Sequence, residues 1–250
     1  MSLAIYMRMM DKEKIELYGD NIGLVELVDY MGSDLTIVNS ARVSFGKHKS
    51  ELDNKDKKLI RYLIKHRHTS TFEHNVITFR INVPLFVRSQ HHRHRTWSYN
   101  EISRRYTDFD VKFYEPKKFR AQHVSNRQAS TNKLIDPEVE IKTGMGDFRG
   151  EYYGSASKVL KTWHKDSLKL YDCLLDAGIC REQARGVLPQ NMYTEYYGTC
   201  NLNNLFKFID LRSHEGAQWE IQQLAEGMLK IIKNLWPVAV VAYEKNKEKN

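Results

Sequence analysis

The amino-acid sequence predicts an α+β fold, a single domain in which a mixed or antiparallel sheet packs against long helices. Strand-like and helix-like patterns alternate irregularly, without the strict rhythm of βαβ units. The 250 residues contain five prolines, and none of them lies in a Pro/Ser-rich linker. No internal repeat is found. We therefore expect one domain spanning residues 1–250, which is long enough to bury a sizeable core.

The first third of the chain carries the strand signals. Residues 24–28 and 35–38 are short β-rich stretches. Residues 75–83 alternate, with Ile77, Phe79 and Ile81 on one side and polar residues on the other, which predicts a half-buried strand. Pro84 ends that strand and suits the first position of a helix running to about Arg93.

Helical patterns dominate the remainder. We predict helices over 55–66, capped by Asp53 or Asn54, and over 151–177, with Gly178 at the C-terminal end. Short helical pieces follow at 182–188 and 203–211, with a strand-like stretch at 192–199 between them. A last helix is predicted over 214–234, capped by Ser213. Residues 117–150 are polar and weakly periodic, and we interpret them as a long loop or insertion.

Composition excludes several classes of protein. The formal net charge is +8, no run of about 18 apolar residues could span a membrane, and the first residues lack the pattern of a signal peptide. Three cysteines cannot form a disulfide framework, and Cys173 and Cys180 are predicted to be small core residues. The histidine spacings do not favour metal binding, so we expect no metal. These features indicate a cytoplasmic protein.

The densest polar stretch is 90–106. Between Arg88 and Arg105 it holds five arginines, three histidines and one acid, Glu101. Arginine without lysine favours bidentate recognition of phosphate or carboxylate. The alternatives are a solvated basic surface and a nucleic-acid-binding module that stacks bases on Trp97, Tyr99 and Tyr106.

Three shorter motifs are ambiguous by themselves. His68 lies in a loop after a helix and could exchange protons near neutral pH. Arg181 and Arg185 share one helical face, which is also typical of a salt-bridged helix. Arg212 ends a helix that Asn201 can cap, and it could merely complement the helix dipole.

Taken together, these motifs resemble one family. The run Arg93-His94-Arg95-x-x-Ser98-x-Asn100-x-x-Ser103-x-Arg105 is similar to the signature of the flavin-dependent thymidylate synthases, the thymidylate synthase-complementing type of fold. Further blocks resemble the family in the same order: residues 41–45, His68 with 72–74, Glu182-x-x-Arg185-x-x-Leu188-Pro189, Tyr193-Thr194, Asn201, and 211–221. The resemblance covers roughly residues 25–240.

The resemblance implies reductive methylation of dUMP to dTMP. The carbon comes from 5,10-methylenetetrahydrofolate, NADPH is the reductant, and FAD links the two. It also implies a homotetramer with shared active sites and no membrane or nucleic-acid partner. The implied dUMP contacts are Gln90, His91, His92, Arg93, Glu101, Ile102, Ser103, Arg104, Arg105, Arg185 and Arg212. The implied FAD contacts are Ser70, Arg93, His94, Arg95, Glu101, Asn201, Leu202, Asn203 and Lys207.

Three residues are expected to act in the chemistry. The guanidinium of Arg212 can stabilise negative charge around N3 and the carbonyl oxygens of uracil. Ser103 is expected to orient dUMP without acting as a nucleophile, because the family uses none. His68 would position the flavin. A flavoprotein of the same fold that lacks methyl transfer is a further alternative.

The sequence also departs from the family pattern. His91 and His92 stand where apolar or aromatic residues are usual, Asn203 replaces a frequent Arg, and Lys207 replaces His or Asn. The FAD contacts of Asn203 and Lys207 are therefore the least certain of the set, although Lys207 could meet a flavin phosphate.

Overall fold

A computed structural model describes residues 13–107, 110–143 and 150–247. The described chain divides into two compact units. The first comprises residues 13–83, 89–101 and 195–247, and the second comprises 84–88 and the described part of 102–194. The expectation of one domain over 1–250 stays a prediction.

Strands and helices alternate along the chain, with short 3-10 turns at Val43–Phe45, Thr69–Phe72 and Arg185–Val187. The strands are β1 (Lys14–Glu16), β2 (Leu24–Met31), β3 (Val76–Pro84), β4 (Ser98–Glu101), β5 (Phe119–Gln122), β6 (Ser130–Ile135), β7 (Glu138–Thr143), β8 (Gly150–Ser155) and β9 (Tyr193–Asn201). The helices are α1 (Asp34–Arg42), α2 (Asn54–Lys65), α3 (Leu85–His91), α4 (Ala156–Asp176), α5 (Arg181–Ala184), α6 (Leu202–Arg212), α7 (Trp219–Leu235) and α8 (Pro237–Lys247).

The first unit is built on a five-stranded sheet with the order β1-β2-β3-β9-β4. The pairs β1–β2, β2–β3 and β4–β9 are antiparallel. Ile77, Phe79 and Ile81 of β3 are fully buried, and the residues between them are half-buried. The alternation in the sequence therefore predicted the correct face of this strand, and the predicted α+β class is confirmed.

Helices of the first unit cover the sheet, and carboxylates hold the first turns of two of them. Asp53 caps α2 as predicted, because its carboxylate accepts hydrogen bonds from the backbone N–H groups of Lys55 and Asp56. Asp34 accepts hydrogen bonds from the backbone N–H groups of Val238 and Ala239, both at 2.9 Å, at the start of α8. These bonds join the two ends of the chain in one core.

The second unit has a smaller core beside α4. Tyr171 of that helix is buried together with Ala184, Leu188 and Met192, and Leu85 packs against them. Two antiparallel hairpins, β5–β6 and β7–β8, belong to the same unit. Among the described residues, no helix is long and apolar enough to cross a bilayer.

Four elements differ from the sequence predictions. Residues 35–38 lie in helix α1, because Ile37 and Val38 bury on one helical face. The stretch 117–150 was expected to be a long loop or insertion, but its described part contains strands; residues 144–149 lie outside the described residues. Residues 151–155 belong to β8. Ser213 follows α6 at its C-terminal end, and α7 begins at Trp219.

The two cysteines of the second unit were placed wrongly. Cys173 and Cys180 are exposed, because Cys173 lies on the outer face of α4 and Cys180 precedes α5. Leu211, an apolar residue near the end of α6, is exposed as well. An apolar pattern in a helix leaves the width of the buried stripe open by one or two positions.

Candidate active site

Arg212 lies at the C-terminal end of α6, a helix whose position follows from local sequence. The Asn201 side chain caps its first turn by accepting a hydrogen bond from the backbone N–H of Asn204 at 2.9 Å. Phe208 and Ile209 of the last turns are fully buried. Because both ends of the helix are fixed, the direction in which Arg212 leaves the helix is fixed too.

Two neutral acceptors hold the guanidinium of Arg212. Its Nε donates to Nε2 of His94 at 3.2 Å, and its Nη2 donates to the carbonyl oxygen of Gln90 at 3.3 Å. Burial lowers the pKa of Arg212, yet a guanidinium stays protonated at neutral pH. Two of its five N–H groups are used in this way, so the others are available to a ligand.

The imidazole of His94 is neutral at physiological pH. Burial, and then the positive charge of Arg212, lower the pKa of His94 to about 4. Its ring lies edge-on to Phe208, with ring centroids 4.9 Å apart. Because Nε2 accepts the bond from Arg212, the single proton of the neutral ring resides on Nδ1. His94 therefore presents one acceptor to Arg212 and keeps one donor.

His91 forms the buried wall behind His94. It is fully buried, with Nδ1 2.8 Å from the Tyr196 hydroxyl oxygen and its ring centroid 4.5 Å from that of Trp97. Burial lowers the pKa of His91 well below the usual value, and the neighbouring positive charges lower it further. The predicted dUMP contact of His91 stays a prediction, and a side chain so enclosed leaves only its backbone to make that contact.

Gln90 is held by a residue that the sequence analysis did not select for the site. The Gln90 amide nitrogen donates to Oε1 of Gln218 at 2.5 Å, and the Gln218 amide nitrogen donates to Glu220 at 2.9 Å. Gln218 lies in a block that resembles the family, and this resemblance was the only signal in the sequence that could have selected it.

The half-buried ring of His92 lies 4.1 Å from that of Tyr99, measured between centroids.

Three predicted FAD contacts of the first unit carry exposed positive charge. Arg93, Arg95 and Lys207 have no ion pair or side-chain hydrogen bond among the described residues. Arg93 and Arg95 flank His94 in the chain, and the turn that carries them is closed by the hydrogen bond from the His94 N–H to the His91 carbonyl at 3.0 Å. These cations are available to an anionic ligand.

His68 and Ser70 lie at the exposed start of a 3-10 turn, Thr69–Phe72, in the first unit. The Thr71 hydroxyl donates to the backbone carbonyl of His68 at 3.2 Å. The rings of Tyr62 and His68 lie 5.8 Å apart between centroids. The His68 imidazole is therefore fixed at its backbone while its ring stays open to solvent.

The other predicted FAD contacts have their side chains engaged elsewhere. Asn201 caps α6, and the side chain of Leu202 is fully buried. Asn203 is 7% exposed, and its amide nitrogen donates to Oε1 of Glu73 at 3.0 Å. The Asn201 amide oxygen, the Leu202 side chain and the Asn203 amide nitrogen are therefore already engaged within the first unit. The doubt about Asn203 thus has a physical basis in this chain.

The second unit carries most of the other predicted dUMP contacts. The Ser103 hydroxyl accepts a hydrogen bond from the backbone N–H of Arg105 at 3.3 Å, and Nη2 of Arg105 lies 3.2 Å from a carboxylate oxygen of Glu182. This ion pair joins the Ser103–Arg105 motif to α5. Arg185, which follows α5, is exposed. Arg104 is buried. Glu101 ends β4 half-buried, and Ile102 is exposed.

The described residues form no cluster of metal ligands, and the buried thiol of Cys200 is a poor nucleophile. No three His, Cys, Asp or Glu side chains within them are grouped as metal ligands. Cys200 is buried, and burial raises the pKa of its thiol well above the usual value. A thiolate nucleophile therefore does not form readily at Cys200.

Comparison with known proteins places the chain. Residues 26–238 match the family model "Thymidylate synthase complementing protein". A flavin-dependent thymidylate synthase from Thermus thermophilus is 43% identical over 224 residues, which is 90% of this chain and 76% of the relative. One from Thermosipho melanesiensis is 40% identical over 86% of this chain and 87% of the relative.

A solved structure agrees with these relatives. A UMP/dUMP methylase from Streptomyces cacaoi, bound with 5-Br dUMP, is 36% identical to this chain. It matches with a TM-score of 0.71 and covers 92% of this chain and 97% of its own. The chain is thus similar in both sequence and fold to enzymes that methylate a pyrimidine nucleotide.

Proposed function

Because this chain belongs to the thymidylate synthase complementing protein family, we propose that it is an enzyme that converts dUMP to dTMP. In this reaction 5,10-methylenetetrahydrofolate supplies the carbon and NADPH the reducing equivalents. FAD, when bound, supplies the redox chemistry that links them. The chain's own residues bind and orient the substrates and stabilise charge.

The observation that most supports this function is the state of Arg212. Its guanidinium is fixed by a helix end and two neutral acceptors, and its charge has no counterion among the described residues. Methylation at C5 of uracil requires electron density at that carbon. A cation directed at N3 or a carbonyl oxygen stabilises the negative charge that accompanies this density.

The donor chemistry of the first unit fits a phosphate-bearing cofactor. Arg93, Arg95 and Lys207 are exposed cations without ion pairs in the described part of the chain, and the inferred Nδ1–H of His94 is a further donor. We propose that these four side chains hold FAD, and that Ser70 and the backbone at 201–203 complete the contacts. His68 is proposed to orient the flavin.

The nucleotide phosphate calls for fixed donors in the second unit. Arg105 and Arg185 supply guanidinium groups, and Ser103 supplies a hydroxyl. Ser103 is proposed to orient dUMP and not to attack it. Ser103→Ala should therefore keep measurable turnover, whereas isolation of a covalent Ser103–dUMP adduct would overturn this role.

The remaining features of the proposal concern the setting of the enzyme. We propose a homotetramer with active sites shared between subunits, a cytoplasmic location, and no nucleic-acid partner. Sedimentation of the flavin-loaded protein tests the assembly directly. A monomer that turns over at full rate when diluted would contradict shared active sites.

One titration tests the function as a whole. The purified protein is loaded with FAD, its visible flavin spectrum is recorded, and dUMP is added, followed by the folate and NADPH. We expect a spectral change with dUMP and then formation of dTMP. Flavin binding without dTMP would favour a flavoprotein that lacks methyl transfer. If FAD does not bind and RNA binds with a steep salt dependence, the enzyme assignment fails.

A further inference from the structure

The partners of Arg212 differ from those usual for a partly buried arginine. Guanidinium groups removed from water are commonly paired with carboxylates, because an unpaired charge is costly to bury. Here the two acceptors are the imidazole of His94 and the backbone carbonyl of Gln90. The carbonyl carries no charge, and the imidazole is neutral at pH 7 because burial and the charge of Arg212 lower the pKa of His94 to about 4.

The nature of the acceptor decides how much charge the guanidinium can offer. A carboxylate at hydrogen-bond distance would cancel most of the positive potential felt by a ligand on the other side. Two opposite charges at hydrogen-bond distance interact far more strongly near a protein surface than in bulk water. A neutral acceptor fixes the direction of the guanidinium and removes little of that potential.

We propose that His94 is a positioning residue for Arg212, a neutral acceptor that orients the guanidinium and leaves its charge uncompensated for the substrate. This inference rests on the proposed role of Arg212 towards the uracil ring. It also divides the two ring nitrogens of His94. Nε2 serves Arg212, and Nδ1–H is left for the cofactor that the family resemblance assigns to this residue.

The surroundings of His94 support a fixed and neutral ring. Phe208 lies edge-on to it, and the Tyr99 hydroxyl donates to the His94 backbone carbonyl at 3.1 Å. His91, whose own pKa is lowered by burial, is the neighbouring titratable group, with ring centroids 6.3 Å apart. The described residues thus place no carboxylate against either His94 or Arg212.

The test compares three variants of the FAD-loaded protein, His94→Gln, His94→Glu and Arg212→Gln. The probe is 5-fluoro-dUMP, whose N3 ionisation is followed by the ¹⁹F chemical shift of the bound nucleotide during a pH titration. In the wild-type protein we expect ionisation at lower pH than for the free nucleotide. Arg212→Gln should move it back towards the free value.

The His94 variants then separate positioning from mere packing. Gln keeps a neutral acceptor, so the N3 ionisation constant should stay within about threefold of wild type, whereas Glu brings a counterion and should weaken ionisation by about tenfold. If Glu and Gln give the same constant, the inference is wrong. If Arg212→Gln itself changes nothing while dTMP is still formed, the role of Arg212 fails but the enzyme assignment stands.

A second measurement needs no variant and covers the case in which His94→Glu does not fold. ¹⁵N NMR of histidine-labelled wild-type protein reports the tautomer of each ring. We expect His94 to carry its proton on Nδ1 between pH 6 and 8, with Nε2 bare. A proton on Nε2 would overturn the inference, because that atom could not then accept from Arg212.

Discussion

Arg80 and Arg212 belong to the same unit and are held in opposite ways. Arg80, in the middle of β3, lies 3.2 Å from a carboxylate oxygen of Glu26 and 2.7 Å from one of Glu195. The hydrogen bond to Glu195 is the main cause that raises the pKa of Arg80, whereas burial lowers the pKa of Arg212. One guanidinium is compensated by its neighbours and the other is not.

The difference distinguishes a cation that is paired within the sheet from the cation that we propose acts on the substrate. Arg80 joins β2, β3 and β9 across the sheet, and its charge is neutralised by the carboxylates of Glu26 and Glu195. Arg212 is oriented by a ring nitrogen and a carbonyl oxygen, so its charge remains available. The partners of an arginine therefore carry more information about its role than its burial does.

The largest expected effect comes from replacing arginine by glutamine, first at position 212 and then at position 80. Arg212→Gln should lower kcat by about 10²–10³, because it removes one donor from a developing negative charge, as in an oxyanion hole. Arg80→Gln should leave kcat within about threefold and lower the free energy of unfolding by about 1 kcal/mol. Steady-state kinetics and urea unfolding of both variants measure the two effects.

The opposite order of effects at the two arginines would contradict this interpretation. If Arg80→Gln cost more activity than Arg212→Gln at equal flavin content, charge compensation would not distinguish the two roles. Arg212→Lys is the matched control: a point charge without the planar fork should restore only part of the activity.

A second test concerns a carboxylate that compensates two cations at once. Asp56 is fully buried and accepts hydrogen bonds from Arg42 and from Lys49. Asp56→Asn should lower the free energy of unfolding by about 3 kcal/mol, because it removes the counterion of Arg42 and one of the two carboxylate partners of Lys49. Flavin binding should persist, as measured by equilibrium dialysis at a temperature below the unfolding transition.

The pH dependence of stability follows from the direction in which folding shifts the pKa of Asp56. Burial tends to raise the pKa of Asp56, but the hydrogen bonds from Lys49, Asp53 and Arg42 lower it overall, below 3.8. A lowered pKa in the folded state contributes stability above about pH 4 that is lost as the pH falls further. Acid unfolding of Asp56→Asn should therefore be less steep in this range than that of wild type.

The fold could be predicted where local pattern and tertiary burial agree. Asp53 at the start of α2 and the alternation of Ile77, Phe79 and Ile81 are examples, since the cap and the period act within a few residues. The strand prediction for residues 35–38 was wrong because it relied on β-branched side chains, which favour a strand locally. In the folded chain Ile37 and Val38 bury on one face of α1, and that packing overrides the propensity.

A smaller effect is expected from His94. Burial and the charge of Arg212 lower its pKa to about 4, below the usual 6.5. The unfolded chain binds this proton first, so the linked stability is lost as the pH falls from about 6.5 towards 4. His94→Gln should remove about 1 kcal/mol of that loss, measured by urea unfolding at pH 7 and pH 5. An unchanged difference between the two pH values would show that folding does not lower the pKa of His94.

The smallest effect is expected at the edge of the Arg80 network. Glu195 is 37% exposed at its side chain, so its pair with Arg80 is screened by water. Glu195→Gln should change the free energy of unfolding by about 0.5 kcal/mol, and less in 1 M salt. Glu26→Gln is the control within the same network, and its larger burial should make its effect the greater of the two.

The sequence indicated which residues form the candidate site, but it did not show which contacts hold their side chains in place. The assignment of Arg93–Arg95 and Arg212 to the site came from the resemblance of their motifs to the family, and it stays a prediction. The bond of Asn203 to Glu73 and the support of Gln90 by Gln218 could not be predicted, because each joins segments far apart in the sequence. Which nitrogen of His94 accepts from Arg212 is likewise decided by the packing of α6.

The strand order also bears on the synthesis of this chain. β9 lies between β3 and β4 in the sheet, but it begins at Tyr193, long after β4 ends at Glu101. Until β9 has left the ribosome, the nascent chain exposes the edges of β3 and β4 that later pair with it. Such edges pair readily with other chains. Translation speed through residues 102–192 and the availability of chaperones should therefore influence how much of this enzyme a cell recovers in folded form.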